Sequence, residues 1–385
     1  MITFAKLCHK GFYKATSLLS FLLLAITACH QNQRSDAERL VSRFQEILEK
    51  EITAEVPGVL ASVYYPEKGI YWSGAAGMAD MAAQTHLRAE QVFRTASVTK
   101  TFVAAAILRL WEEGRLQPDD PINKYISEEH NKILVDGGYD TYAISIRNLL
   151  YHNAGLADHT NSARYIPEEE MDPSHIWTRT EQLIELVTRF KPLSKPGEKF
   201  TYSDSGYILL GEVIENLTGQ TLNDAIIKLL DFERLGLHHT YFENYELHMN
   251  DNRIHQYYQG IDTYAFHPSL DLFGGGGLLS NCSDLALFCH ALFNHKVFRY
   301  ESTLDTMLVP ASYREAPGMD YRMGIYRVVI NDKEAFTHTG FFGTQLAYFP
   351  ELNLSIAANY SQRWPISGPA PVIPEFIAAL YPGMN

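Results

Sequence analysis

Apolar positions along this chain follow two periods, close to two near the ends and close to 3.6 through the middle. Ser35-Asp36-Ala37-Glu38 has the form of a capping box, and Leu40, Val41, Phe44, Ile47 and Leu48 follow at helical spacing. That first helix is expected to end near Pro57. Gly58–Tyr65 and Gly69–Ala76 read as two strands about Pro66-Glu67-Lys68, a hairpin. The Ala-rich run Phe102–Trp111 predicts a buried helix that begins near Ser97 and ends at Gly114.

Pro118-Asp119-Asp120-Pro121 breaks the chain, and the middle reads as helix and loop. Ile146–Leu156 is expected as a short helix with a glycine stop, Thr180–Phe190 as another, and Ile208–Leu217 as a third, closed by Gly219. Pro192–Gly197 marks a turn. Residues 238–270, rich in His, Tyr and Asn, carry no clear period. His238, His239, His255 and His267 lie there without the spacing of a metal site. Gly274–Gly277 lacks the Lys-Ser/Thr of a phosphate loop and reads as a tight turn before a helix at Ser283–Phe293. Four strand-like runs follow, Met323–Ile330, Ala335–Thr339, Thr344–Phe349 and Leu354–Tyr360, then a last helix at Ile373–Leu380.

Strands at both ends with helices between them predict an α+β fold. One antiparallel sheet is built from both chain ends and flanked by helices, with a mainly helical lobe inserted between its halves. The expected sheet lobe takes about 35–96 and 321–382, and the helical lobe about 97–320.

Composition changes the picture at the N-terminus. Lys6, Lys10 and Lys14 precede a short apolar run, Leu18–Ala28, which ends Ile26-Thr27-Ala28-Cys29. Residues 1–28 therefore read as a targeting segment. They resemble a bacterial lipoprotein signal, in which Cys29 becomes the lipidated N-terminus and 29–34 a polar tether. The resemblance implies an exported protein of the bacterial cell envelope, held to a membrane by its lipid. Loss of 1–28 removes three lysines and no acids, taking the net charge from −13 to −16. So acidic a chain argues against a nucleic-acid partner, because phosphate binding needs a basic face. Cys282 and Cys289 sit seven apart on an expected helix, about 10 Å along its axis, beyond disulfide reach of roughly 7 Å. Two buried thiols, with no disulfide and no metal, are expected.

The candidate chemistry centres on Arg94-Thr95-Ala96-Ser97-Val98-Thr99-Lys100-Thr101. Ser97 and Lys100 are three apart, hence on one helical face one turn apart. A serine hydroxyl needs a partner to take its proton, and a lysine amine can help once its pKa is lowered. The start of the helix adds N–H groups where an oxyanion would form. Two later stretches answer this one: Tyr202-Ser203-Asp204 on a turn before a helix, and His338-Thr339-Gly340 at a strand end.

With these three motifs in order, the chain resembles the serine β-lactamase and penicillin-binding superfamily, in particular its branch of class C β-lactamases, D,D-carboxypeptidases and related esterases. The Ile146–Leu156 and Gly274–Leu285 stretches look like family elements too, so the resemblance spans roughly 35–380. It implies a β-lactamase/transpeptidase-like fold and an acyl-enzyme on Ser97. Lys100 and Tyr202 would be the proton-transfer pair, with two nearby cations lowering the phenol's pKa towards neutrality. Backbone N–H groups of Ser97 and Phe341 would form the oxyanion hole. Asp204, His338, Thr339 and Gly340 would contact substrate, with His338 and Thr339 orienting its carboxylate or leaving group. No cofactor is implied. The substrate would be a D-amino-acid-containing peptide, a β-lactam or a small ester; the alternative is a catalytically silent protein that holds cell-wall peptide or drug in the same cleft.

Two positions leave the family pattern. Asp204 stands where Asn is usual, and His338 where β-lactamases place Lys, although His is familiar there among D,D-peptidases. Both make the cleft less positive, which weakens the case for hydrolysis of anionic β-lactams.

Overall fold

The two ends of the chain meet in one sheet. The computed structural model describes residues 37–165, 171–243, 252–313, 318–362 and 371–381. The signal segment, the tether, Cys29 and the Ser35 end of the capping box lie outside them. The strands are β1 (Gly58–Tyr65), β2 (Ile70–Asp80), β3 (Thr85–His86), β4 (Phe93–Arg94), β5 (Tyr241–Phe242), β6 (Tyr257–Tyr258), β7 (Ile261–Asp262), β8 (Leu278–Ser280), β9 (Asp320–Tyr321), β10 (Tyr326–Ile330), β11 (Lys333–Gly340), β12 (Thr344–Phe349) and β13 (Leu354–Tyr360). An eight-stranded antiparallel sheet runs in the order β3-β2-β1-β13-β12-β11-β10-β9. Its central seam pairs the N-terminal β1 with the C-terminal β13, Val59 opposite Tyr360.

Helix α1 covers residues 37–50. The others are α2 (Thr99–Glu112), α3 (Glu128–Asp136), α4 (Ile146–Leu150), α5 (Arg179–Arg189), α6 (Asp204–Thr218), α7 (Leu222–Leu230), α8 (Phe232–Leu235), α9 (Cys282–Phe293), α10 (Glu301–Leu308) and α11 (Val372–Leu380). Both faces of the sheet are covered, so its middle strands are buried throughout rather than in alternation. The period-two alternation instead sorts residues between two cores. Val59, Ala61 and Val63 of β1 face α1 and α11, where Phe44 packs against Trp72 and Phe376 at 5.2 and 4.9 Å. Leu60, Leu346 and Ala357 point the other way, into the core around α2.

Helix α2 is the hub of that second core, with every residue from Thr99 to Leu108 buried. Phe102 stacks on Phe288 of α9 at 3.7 Å. Burying each such ring stabilises the fold by about 1.5–3 kcal/mol, so α2 is fixed on the sheet layer as well as in its own lobe. Gly114, at φ +70°, follows the helix where the sequence places its stop.

The sequence reading holds for the sheet and most helices, with instructive departures. The helix expected over Ile146–Leu156 ends at Leu150, and its continuation turns through His152, which has a positive φ of 53°. Helix α6 starts at Asp204, one turn before Ile208. Between the lobes, α9 lies within the expected helical lobe yet packs on β1, β12 and β13. The small sheet β4-β8-β5 was not expected at all. Its strands are two or three residues long, too short to show a period. Cys282 and Cys289 are buried free thiols on α9, as the spacing predicts.

Candidate active site

The chain reaches Ser97 through a constrained corner. Strand β4 pairs with β8, and Thr95 then donates through both N–H and hydroxyl to Leu278 O, at 2.9 and 3.0 Å. Ala96 adopts φ +46°, a left-handed conformation that a non-glycine residue rarely takes. Ser97 follows in a single 3-10 turn, Ala96–Val98, that leads into α2. The expectation of a serine at the start of the buried helix is therefore met, with one extra tight turn.

Lys100 is fully buried one turn on. Its ammonium donates to Ser97 Oγ at 2.9 Å and to Gly275 O at 2.5 Å, and lies 2.5 Å from Asp204 Oδ1. Two of its N–H groups are thus used in hydrogen bonds, and the Asp204 contact is an ion pair. The ammonium also sits over the rings of Tyr202 and Tyr207, 5.0 and 5.7 Å from their centroids. The Gly274–Gly277 turn is what allows this approach. A Cβ on Gly274 would meet Tyr207 O at 2.6 Å, and one on Gly276 would overlap the Asp271 carboxylate.

Asp204 opens α6, a favourable place for a carboxylate because the first turn carries exposed N–H groups. Its negative charge is felt throughout the pocket. Burial, with Asp204 second, drives the Asp158 carboxyl well above its ordinary range and Asp271 up to about 7. Three carboxyl groups thus share the surroundings of one lysine, and Asp204 is the one in contact with it.

Tyr202 departs from expectation. Burial, followed by the Asp204 charge, holds its phenol well above the ordinary value of 10, while a hydrogen bond to Ser97 pulls the other way. The pair of cations expected to lower it does not act as such: Lys100 is matched by Asp204, and His338 is neutral. Burial and then Lys100 push His338 down to about 3. Its Nδ1 lies 2.9 Å from Thr339 O, and its Nε2 lies 3.3 Å from the Tyr321 hydroxyl. The ring is thus enclosed, with both nitrogens engaged inside the protein. The neutral ring brings no positive charge to the site. Thr339, beside it, is exposed.

Strand β11 brings Gly340 against the Thr95–Ala96 corner. A Cβ on Gly340 would lie 2.1 Å from Thr95 O and 3.4 Å from Ala96 Cβ, so only glycine allows this approach. Phe341 follows at once, its ring stacked on Tyr258 of the β6–β7 hairpin at 5.0 Å. The structure therefore brings Ser97, Lys100, Tyr202 and Asp204 together and places the strand end His338, Thr339, Gly340 and Phe341 beside them.

Sequence reasoning missed several neighbours. His152 lies 4.2 Å from the Tyr202 ring and accepts from Ser203 N at 3.2 Å; burial, then Lys100, keeps it neutral. Its Nε2 is buried without a hydrogen-bond partner among the described residues. Tyr321, Asp158, Asp271 and the Gly275 carbonyl complete the surroundings. The glycine run Gly274–Gly277 is the one local signal in the sequence of a backbone pressed against something.

This sheet-and-helix architecture, with a serine leading into the central helix and a lysine on its first turn, a tyrosine from the helical lobe and a His-Thr-Gly strand end, defines the serine β-lactamase and penicillin-binding superfamily. The Beta-lactamase family model matches residues 38–379, and the chain belongs to that family. A putative D-alanyl-D-alanine carboxypeptidase of Escherichia coli O157:H7 is 26% identical over 365 residues, 83% of this chain and 82% of the relative. A D-stereospecific amidohydrolase from a Streptomyces species superposes with a TM-score of 0.71 at 24% identity, covering 89% of this chain and 98% of the other. D-amino acid amidase from Ochrobactrum anthropi SV3, complexed with D-phenylalanine, superposes with a TM-score of 0.75 at 21% identity, over 89% of this chain and 99% of the other. The fold of these two is the fold of this protein.

Proposed function

We propose that this protein is an exported, lipid-anchored serine hydrolase that forms an acyl-enzyme on Ser97. The observation that carries the reading is Lys100, buried and in contact with both Ser97 and Asp204. Ser97 attacks the substrate carbonyl, and the oxyanion is received by backbone N–H groups of Ser97 and Phe341. A neutral Tyr202 works as a relay: it takes the Ser97 proton while its own passes to the leaving amine or alkoxide. No phenolate need accumulate. Lys100, held by Asp204 and Gly275, fixes the Ser97 oxygen and offsets negative charge along that path. Deacylation repeats the steps with water.

The charge balance of the cleft favours acyl donors without a carboxylate, namely small esters and D-amino acid amides, over β-lactam acids and peptides ending in a free carboxylate. Lys100 is neutralised by Asp204, and His338 supplies no positive charge. The D-amino acid amidase name among the similar structures agrees with this range, whereas the carboxypeptidase name among the relatives belongs to an activity on peptides with a free carboxylate. The test exposes the native protein and Ser97→Ala to a fluorescent penicillin and to a p-nitrophenyl ester. Ester turnover with an intact-mass adduct on Ser97, both lost in Ser97→Ala, is the expected result. An adduct that persists in Ser97→Ala means that another residue is the nucleophile, and a native protein inert to both probes means that the cleft only binds.

A further inference from the structure

The two halves of the oxyanion hole come from distant parts of the chain, Ser97 after β4 and Phe341 after β11. Something must set the gap between them. One buried side chain bonds to the backbone beside each, at Arg94 before Ser97 and at Phe342 after Phe341. Gln256, 2% exposed, accepts at Oε1 from Arg94 N at 2.8 Å. Its Nε2 donates to Arg94 O at 3.1 Å and to Phe342 O at 2.9 Å. The amide thus uses its acceptor and both donors on main-chain groups, three residues before Ser97 and one residue after Phe341.

The segment carrying Gln256 is itself tied down by the same strand end. Thr263 donates through N–H and hydroxyl to Gln256 O, at 2.9 and 2.7 Å. Arg94 then returns to that segment: its guanidinium donates to Thr263 O at 2.9 Å and Phe266 O at 2.6 Å, and pairs with the buried Glu243 at 2.6 Å. Asn359 of β13 adds a second donor to Phe342 O at 3.2 Å, and Thr344 one to Arg94 O at 3.3 Å. The circuit is closed, buried and made of fixed-length bonds.

Resting on the acyl-enzyme reading above, we infer that Gln256 is a positioning residue that sets the separation of the Ser97 and Phe341 N–H groups, through Arg94 on one side and Phe342 on the other. It touches neither substrate nor reacting atoms. An oxyanion hole stabilises charge only if both donors meet the tetrahedral oxygen, a geometry the ground-state carbonyl does not demand. Loosening the gap should therefore weaken the transition state more than substrate binding.

The experiment compares native protein, Gln256→Met and Gln256→Glu. The first removes all three bonds at constant length. The second keeps the acceptor for Arg94 N while losing donation to Phe342 O. With a p-nitrophenyl ester, kcat is expected to fall about 10–100-fold while KM moves by less than about threefold, the pattern of a lost transition-state interaction. Affinity for phenylboronic acid, which forms a tetrahedral adduct on the serine, should fall in the same proportion as kcat. A melting curve shows which variants are folded; should Gln256→Met fail to fold, Gln256→Glu alone decides. A folded variant with native kcat overturns the inference, as does one whose kcat falls while boronate affinity is unchanged or whose loss lies wholly in KM. If native protein turns over no ester and takes no acyl group on Ser97, the acyl-enzyme reading fails first and this inference with it.

Discussion

Lys100 Nζ and Asp204 Oδ1 lie 2.5 Å apart, at a position where the family usually places an asparagine opposite the lysine. An asparagine leaves the lysine's positive charge uncompensated in the cleft. An aspartate cancels it.

The first prediction follows from that cancellation. At an effective dielectric near 20 and ~6 Å, one unit of charge acts on a substrate carboxylate with roughly 2–3 kcal/mol before screening, or on the order of 10² in rate. Asp204→Asn combined with His338→Lys should raise kcat/KM for a β-lactam relative to a neutral ester by a factor of that size. The measurement is kcat/KM for both substrates in both proteins. An unmoved ratio, or a native preference for the β-lactam, means that charge here does not set specificity.

A second prediction concerns acid stability. His338 is depressed to about 3 in the folded protein, against about 6.5 for an unfolded histidine. Between those values the unfolded chain binds the extra proton, so stability rises with pH across the window. The contribution is complete above about 6.5 and is lost as pH falls towards 3. It is worth roughly a few kcal/mol. His152 and His159 are depressed by burial too and share in the effect. Asp158 and Asp271, raised by burial, act in the opposite sense over the same range, so the readout is a difference: between pH 7.5 and 5 the Tm of native protein should fall relative to that of His338→Gln. Equal changes would show that His338 does not titrate in this way.

The third prediction tests the close approach of β11 to the Thr95–Ala96 corner. Gly340→Ala places a methyl 2.1 Å from Thr95 O, so the strand end must shift. A displacement of ~1 Å at the oxyanion position can cost on the order of 10² in rate. Ester kcat should fall by about that factor, with a lower Tm. Native kcat in Gly340→Ala would place the oxyanion donors elsewhere.

The fourth prediction is about anchoring. Small residues precede Cys29 at the end of a short apolar run. Cys29→Ser should release the protein from the membrane fraction with its specific activity intact. Mass spectrometry of the mature N-terminus checks the lipid directly; an unmodified Cys29 in native protein rejects the idea.

How much of this was legible in the sequence depends on how local each signal was. The sheet from both ends, α2, α6, α9 and the meeting of Ser97, Lys100, Tyr202 and His338 could be read, because period and motif spacing are properties of short stretches. The charge state of Tyr202 could not. It depends on which neighbour comes first, and Asp204 reaches Lys100 only because α6 starts one turn earlier than the apolar pattern suggests. Gln256 was invisible for a related reason. It lies in the 238–270 stretch that lacks any period, and its three bonds reach positions far away along the chain. A glutamine in such a stretch looks like solvent-facing loop until its partners are known.

The β1–β13 seam has a consequence for how the cleft comes into being. A chain that has emerged only as far as Leu308 holds Ser97, Lys100, Tyr202 and Asp204, yet the strand that leads to Phe341 and the neighbour that β1 needs have not been made. Assembly must wait for the last strands, and pairing across so long a loop is slow. During that delay β1 has an unfilled edge, which is a template for pairing with another chain. Ser97 is therefore synthesised long before its surroundings are complete, and a truncation that removes β13 should leave insoluble chains rather than a folded protein of lower activity.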